Sequence, residues 1–170
     1  MAAVSSLFPS DLRDLAVALL EACRAKKLRI VTAESCTGGL IAALLTEIPG
    51  SSDVLDRGMV VYSNGAKAAQ LGVPPALIDA HGAVSEAVAR AMAEGALRHA
   101  DAQLSIAVTG VAGPGGGTAT KPVGLVHLAS ARAGGATVHE RQLLSGDRAA
   151  VRMASVACAL RLLRVQAGST

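Results

Sequence analysis

Apolar and polar residues along this chain follow two rhythms that take turns. From Leu12 through Leu15, Ala16, Leu19, Leu20 and Cys23 they recur at helical spacing and make one apolar stripe, with Ser10 or Asp11 placed to cap a helix running to about Lys26. Leu28-Arg29-Ile30-Val31 then reads as a buried strand, and Leu40 to Leu45 as a buried helix that ends before Pro49-Gly50. A second strand lies within Val54 to Tyr62. Asn64 to Leu71 reads as a short helix carrying Lys67, and Val73-Pro74-Pro75 opens another that ends at His81-Gly82. Ser85 opens a long helix through about His99, with Val88, Met92, Gly95, Ala96 and His99 near one face. Leu104 to Val108 reads as a third strand, buried on both faces. Val123 to Ala129 and Thr137 to Leu143 flank a turn at Ala133-Gly134-Gly135 and predict an antiparallel hairpin. Ser145-Gly146-Asp147 caps a last helix from Arg148 to about Val165.

Helices alternate with strands through the first two thirds, and a hairpin plus helix closes the chain. That order predicts an α/β layered domain with a mostly parallel sheet and one reversed strand. With no internal repeat and no long linker, the 170 residues read as one domain.

Composition narrows the picture. Hydrophobic residues make up 51%, yet there is one Tyr, one Phe and no Trp, so the core is built from Ala, Leu, Val and Ile. The formal charge of +3 is scattered, with no aromatic stacking platform, which argues against nucleic acid and leaves room for a small anion. Cys23, Cys36 and Cys158 form neither an even framework nor a CxxC pair, which points to a reducing compartment. Cys23 and Cys158 fall on apolar helix faces as small core residues. No stretch approaches the ~20 apolar residues of a membrane span. The first residues lack the shape of a signal peptide, and the cytoplasm is the default.

Three hydroxyl- or glycine-rich turns each follow a strand: Thr32-Ala33-Glu34-Ser35-Cys36-Thr37-Gly38-Gly39, Tyr62-Ser63-Asn64-Gly65-Ala66-Lys67, and Thr109 to Gly117. In an α/β sheet such turns can face one crevice at the carboxyl ends of the strands. The first puts the Ser35 hydroxyl beside unpaired N–H groups at a helix start, the ingredients of a nucleophile with an oxyanion site. It reads equally as a helix cap, a task Thr37 could also perform. The glycine loop is neither a Rossmann fingerprint, since a hairpin follows it, nor a Walker A loop, since no Lys-Ser or Lys-Thr sits at the required offset. It reads as a flexible connection or as a cradle of N–H groups for a phosphate or carbonyl.

Ser35 needs a base. His81, His99, His127 and His139 show no acidic orienter at a telling spacing and no metal-ligand pattern, and most read as surface or helix-end residues. Lys67 is the alternative, provided burial leaves its amine neutral near pH 7. Tyr62 is a candidate proton relay or an amphipathic strand-end residue. Cys36 is a rival nucleophile, but only one of two adjacent side chains can point into a pocket.

Those turns, together with His81-Gly82-Ala83-Val84-Ser85, Lys121-Pro122-Val123-Gly124 and Ser145-Gly146-Asp147-Arg148, resemble the CinA C-terminal-domain family in unbroken order from about Leu12 to Val165. Its enzymatic members are nicotinamide-nucleotide amidohydrolases. The resemblance implies a three-layer α/β/α sandwich with a mixed sheet, at least two subunits, and no cofactor or metal. It also implies hydrolysis of the carboxamide of nicotinamide mononucleotide to nicotinate mononucleotide and ammonia by a Ser–Lys mechanism. Longer members carry an extra N-terminal domain, which makes this chain look like the stand-alone form.

Carried onto these residues, Lys67 takes the proton of Ser35, Tyr62 helps the relay, and Thr109 assists the N–H groups of Cys36, Thr37, Gly38 and Gly39 in holding the oxyanion. Asn64, Gly110 and Gly113 contact substrate. Arg148 grips the phosphate at a helix N-terminus that itself favours anions. A non-catalytic nucleotide-sensing or partner-binding module would keep the same pocket, and an amidase for another carboxamide would keep the same chemistry.

Overall fold

The computed structural model describes residues 6–168. Among them lie six α-helices and five strands: α1 (Ser10–Ala25), β1 (Ile30–Glu34), α2 (Leu40–Glu47), β2 (Leu55–Val60), α3 (Asn64–Leu71), α4 (Pro75–His81), α5 (Glu86–Arg98), β3 (Leu104–Gly110), β4 (Leu125–Ser130), β5 (Val138–Leu143) and α6 (Arg148–Gln166). A single 3₁₀ turn at Ser51–Asp53 precedes β2. The strands form one sheet in the order β2-β1-β3-β4-β5. β1 pairs in parallel with both β2 and β3, whereas β4 runs antiparallel to β3 and to β5. One strand is therefore reversed, and the carboxyl ends of β1, β2, β3 and β5 share an edge.

Alternation along the strands sorts two cores. Ile30, Leu104, Ile106, Val108, Val126 and Leu128 pack with α1, α2 and α6. Val31, Ala33, Ala107 and Ala129 pack with α3, α4 and α5. The first face carries large side chains and the second mostly small ones, so α5 meets the sheet through its own Ala89, Ala93 and Ala96. A hydrogen bond from Ser105 Oγ to the Ala93 carbonyl (2.7 Å) ties β3 directly to the α5 backbone. The result is the expected α/β/α sandwich.

Local chemistry departs from expectation at three places. Pro9 precedes α1 and no side chain caps it, so Ser10 and Asp11 are its first residues rather than its cap. β3 continues through Thr109 and Gly110, which makes them strand residues and shortens the glycine loop. At α2 neither Ser35 nor Thr37 is the cap. The buried Glu34 carboxylate accepts from the N–H groups of Gly39 (3.1 Å), Ile41 (3.0 Å) and Ala42 (2.9 Å). Three other helix starts obey the pattern, with Ser63, Ser85 and Asp147 accepting from the residues three ahead, while α4 begins at Pro74-Pro75 without a side-chain cap.

Gly95 lies where α5 crosses the end of α3, and a Cβ there would run into the Leu71 carbonyl. Alanine is the better helix former, by about 1 kcal/mol. The clash with rigid backbone outweighs that gain. Gly95→Ala is expected to destabilise the protein by ~1–3 kcal/mol, lowering the thermal midpoint by about 3–10 °C, as calorimetry would read.

Candidate active site

Where the three turns meet, a cleft of about 210 Å³ is lined by Ser35, Cys36, Tyr62, Asn64, Lys67, Thr109, Gly110 and Arg148, together with Ala83, Val84 and Ala112. Each strand of the parallel half delivers one part. β1 hands over to Ser35, whose N–H donates to the Val108 carbonyl of β3 (3.0 Å). β2 hands over to Tyr62, and α3 turns Lys67 inward one helical turn beyond its Ser63 cap.

Lys67 is the largest fully buried side chain of the molecule's described residues, 1% exposed. Its Nζ lies 3.1 Å from Ser35 Oγ and 3.4 Å from the Tyr62 carbonyl oxygen. No carboxylate faces it within ion-pair distance among the described residues. Burial therefore pushes its pKa below the ordinary lysine value. A neutral amine has two N–H bonds and one lone pair. It can donate to the Tyr62 carbonyl while accepting from the Ser35 hydroxyl, the geometry of a general base on a nucleophile. Ser35 is itself buried.

Cys36 also lines the cleft, but burial pushes its thiol up to about 11, and a protonated thiol is a poor nucleophile at neutral pH. The other predicted residues sort by the atoms they offer. Thr109 donates its hydroxyl proton to the Ala83 carbonyl (2.8 Å), which pins the segment before α5 to the cleft and leaves an acceptor oxygen rather than an oxyanion donor. The Tyr62 atom that reaches Lys67 is the main-chain carbonyl. Its exposed phenol is held by Arg148 Nη2 (3.1 Å), away from any direct relay with the amine. Arg148 Nη1 donates to the Gly113 carbonyl (2.9 Å), so Gly113 acts through Arg148.

Thr37, Gly38, Gly39 and Gly113 do not line the cleft. Gly38 N–H donates to the Ser35 carbonyl (3.1 Å) and Gly39 N–H to Glu34, so neither is free for an oxyanion. The Thr37 hydroxyl is buried without a partner. That leaves the Cys36 N–H, unpartnered among the described residues and belonging to a cleft-lining residue, as the donor next to Ser35. Sequence reasoning missed Glu34 altogether. The signal was present, since an acidic residue at the end of a buried strand must find partners for its carboxylate.

The histidines also need correction. His81 and His99 are exposed at helix ends, as expected. His127 is buried on β4 and stacks on His139 of β5, with ring centroids 5.2 Å apart and Nδ1 2.9 Å from His139 Nε2. Glu86 Oε2 stands 3.5 Å from His139 Nδ1, an acidic partner the spacing had not revealed. Burial, then the His139 and Arg141 charges, push His127 down to about 4. The pair lies beside the cleft through the Thr109–His127 cross-strand register but does not line it.

The buried serine–lysine pair lies at the carboxyl ends of the parallel strands, where α/β sheets open their ligand crevices. The CinA C-terminal domain model matches residues 12–167, and the chain belongs to that family. A CinA-like protein of Anaeromyxobacter sp. (strain Fw109-5) is 49% identical over 160 residues, 94% of this chain and 39% of that protein. One of Anaeromyxobacter dehalogenans (strain 2CP-C) is 53% identical over 91% of this chain and 37% of its own length. The chain thus spans about two fifths of the curated relatives it matches. Among solved structures, the competence/damage inducible protein CihA of Agrobacterium tumefaciens superposes with a TM-score of 0.94 at 47% identity, covering 97% of this chain and 100% of that one. The competence damage-inducible protein A of Klebsiella pneumoniae gives 0.89 at 36% identity over 92% and 97%.

The sign of the Lys67 shift makes a stability statement. The unfolded chain binds its proton up to about pH 10.4, while the folded chain releases it earlier, so Lys67 opposes folding at neutral pH and stops doing so as pH rises to the unfolded value. Lys67→Met is expected to raise stability at pH 7 by ~0.5–2 kcal/mol, a midpoint gain of about 2–6 °C. Thermal melts across pH should show that gain shrinking toward pH 10.

Proposed function

We propose that the chain hydrolyses the carboxamide of nicotinamide mononucleotide, releasing ammonia and nicotinate mononucleotide. The observation that carries this reading is the buried Lys67 amine at 3.1 Å from Ser35 Oγ, with no carboxylate within ion-pair distance among the described residues. Neutral Lys67 takes the Ser35 proton as Oγ attacks the amide carbon, and the developing oxyanion rests on the Cys36 N–H. The protonated amine then returns that proton to the departing nitrogen. The C–N bond breaks, ammonia leaves, and the nicotinoyl group stays on Ser35 as an ester. Water, deprotonated by the same amine, attacks the ester and frees the acid.

Family membership supports the substrate class, and Arg148 supports the phosphate. Its exposed guanidinium stands at the first turn of the 19-residue α6, with two donors fixed on Gly113 and Tyr62 and the rest of the fork open to solvent. A cation at a helix N-terminus opposes the helix dipole, and a bound phosphate removes that conflict. Asn64, exposed at the rim, would meet the ribose, and Gly110 lines the same cleft while its missing Cβ leaves room for Val126 of β4. Three buried thiols without a disulfide fit a reducing compartment, the cytoplasm. Among the described residues no helix is long and apolar enough to cross a membrane. A homo-oligomer of at least two subunits belongs to the same proposal.

Incubation with nicotinamide mononucleotide should release ammonia with Cys36→Ala and not with Ser35→Ala. The reverse pattern would make the thiol the nucleophile, and a wild-type protein that binds the nucleotide without turnover would be a sensing module. Lys67→Arg cannot become neutral, so it should lose activity as completely as Lys67→Ala. In the wild type kcat/KM should fall on the acid side, where Lys67 gains a proton.

Arg148→Ala should weaken nicotinamide mononucleotide far more than nicotinamide riboside, which has no phosphate to lose. A charge-assisted contact is worth ~1.5–3 kcal/mol, or roughly ten- to a hundred-fold in kcat/KM. Equal loss on both substrates would move Arg148 from substrate grip to architecture.

A further inference from the structure

Arg152, one turn beyond Arg148 on α6, sends its guanidinium away from the cleft and into the Ser35 turn from behind. Its Nε donates to the Cys36 carbonyl (3.0 Å) and its Nη2 to the Thr37 carbonyl (3.2 Å). Two consecutive peptide planes are thereby fixed by one planar fork. The second plane includes the Gly38 N–H, which donates to the Ser35 carbonyl (3.1 Å). In a trans peptide the N–H points opposite to the C=O. A Ser35 carbonyl turned back onto Gly38 therefore sends the Cys36 N–H the other way. From the far side Glu34 holds Gly39, Ile41 and Ala42, so the turn is gripped at both ends while the Cys36 N–H stays unspent.

The geometry points to Arg152 as a positioning residue that orients the Ser35–Gly38 turn so that the Cys36 N–H serves as the oxyanion donor. This rests on the reading of Ser35 as nucleophile. Arg152 touches neither substrate nor Ser35 Oγ; its contacts are with main-chain carbonyls. Without it, the Cys36 carbonyl loses its donor and the Thr37 carbonyl keeps only the Leu40 N–H (3.1 Å), so the Cys36–Thr37 peptide is freed to rotate. The Gly38 position makes that rotation easy, since its φ of +58° is already in the left-handed region.

The test uses the whole chain with two probes, ammonia release from nicotinamide mononucleotide and nitrophenolate release from p-nitrophenyl acetate, with Ser35→Ala as the blank. Arg152→Ala is expected to lower kcat on both by about 10²-fold, the loss for a misplaced catalytic group. KM should stay within about threefold, and the acid limb of the pH profile should not move, because Lys67 is untouched. Arg152→Lys keeps the stem and the charge but cannot span both carbonyls, so its kcat should fall by an intermediate, roughly three- to thirtyfold amount. It reads the same quantity should the alanine variant fail to fold.

Rates within about twofold of wild type in either folded variant overturn the assignment. So does a raised KM at unchanged kcat, which would make Arg152 a substrate contact, or a shifted acid limb, which would route it through Lys67. A wild-type protein that is silent on the nucleotide yet releases nitrophenolate through Ser35 sinks the substrate reading while the Arg152 comparison stands. No Ser35-dependent release from either probe overturns both.

Discussion

The buried carboxylate of Glu34 does at α2 what a serine or aspartate cap does elsewhere in this molecule, and the site depends on that exchange. A helix start leaves N–H groups that must find acceptors. Had Ser35 or Thr37 supplied one, the hydroxyl would have been committed to the backbone, as those of Ser63 and Ser85 are at α3 and α5. Glu34 instead reaches forward from the last position of β1 to Gly39, Ile41 and Ala42. Three charge-assisted bonds offset its desolvation. The Ser35 hydroxyl is left for Lys67.

Burying Lys67 without a counter-ion is the second constraint, and it sets what the first makes possible. A lysine with a carboxylate beside it would stay protonated and could only donate. Here its neighbours are a hydroxyl and a carbonyl, neither of which favours the cation strongly enough to offset burial. The fold accepts a cost in stability at neutral pH to hold a lone pair against an oxygen. Thr109 contributes indirectly, by tying Ala83 and the start of α5 over the same cleft.

Much of the architecture was legible because its causes are local. Helical spacing from Leu12 to Cys23, the short apolar runs around Ile30 and Ile106, and the serine and aspartate caps at residues 85 and 147 each act within a few residues. The convergence of Ser35, Lys67 and Thr109 followed from a rule about strand ends, and Arg148 joined them through the family resemblance. What escaped was set across the fold. Arg152 meets the Ser35 turn 116 residues away in sequence, and His127 meets His139 only through the β4–β5 register. The direction of a peptide plane, which decided the fate of Gly38 and Gly39, has no signature in residue type at all.

The reversal of β4 has a mechanical consequence. Because the chain comes back along β4 and out again along β5, it returns to the cleft end of the sheet just before α6 begins. A single rigid rod therefore reaches the cleft end-on. Four residues apart on that rod, Arg148 reaches Tyr62 at the opening and Arg152 reaches the carbonyls of the Ser35 turn. Its body is anchored in the core by Val151, Val156, Leu160 and Leu163. The mouth of the cleft and the turn that carries Ser35 are in this way attached to one lever, so a tilt of α6 cannot adjust either without moving the other.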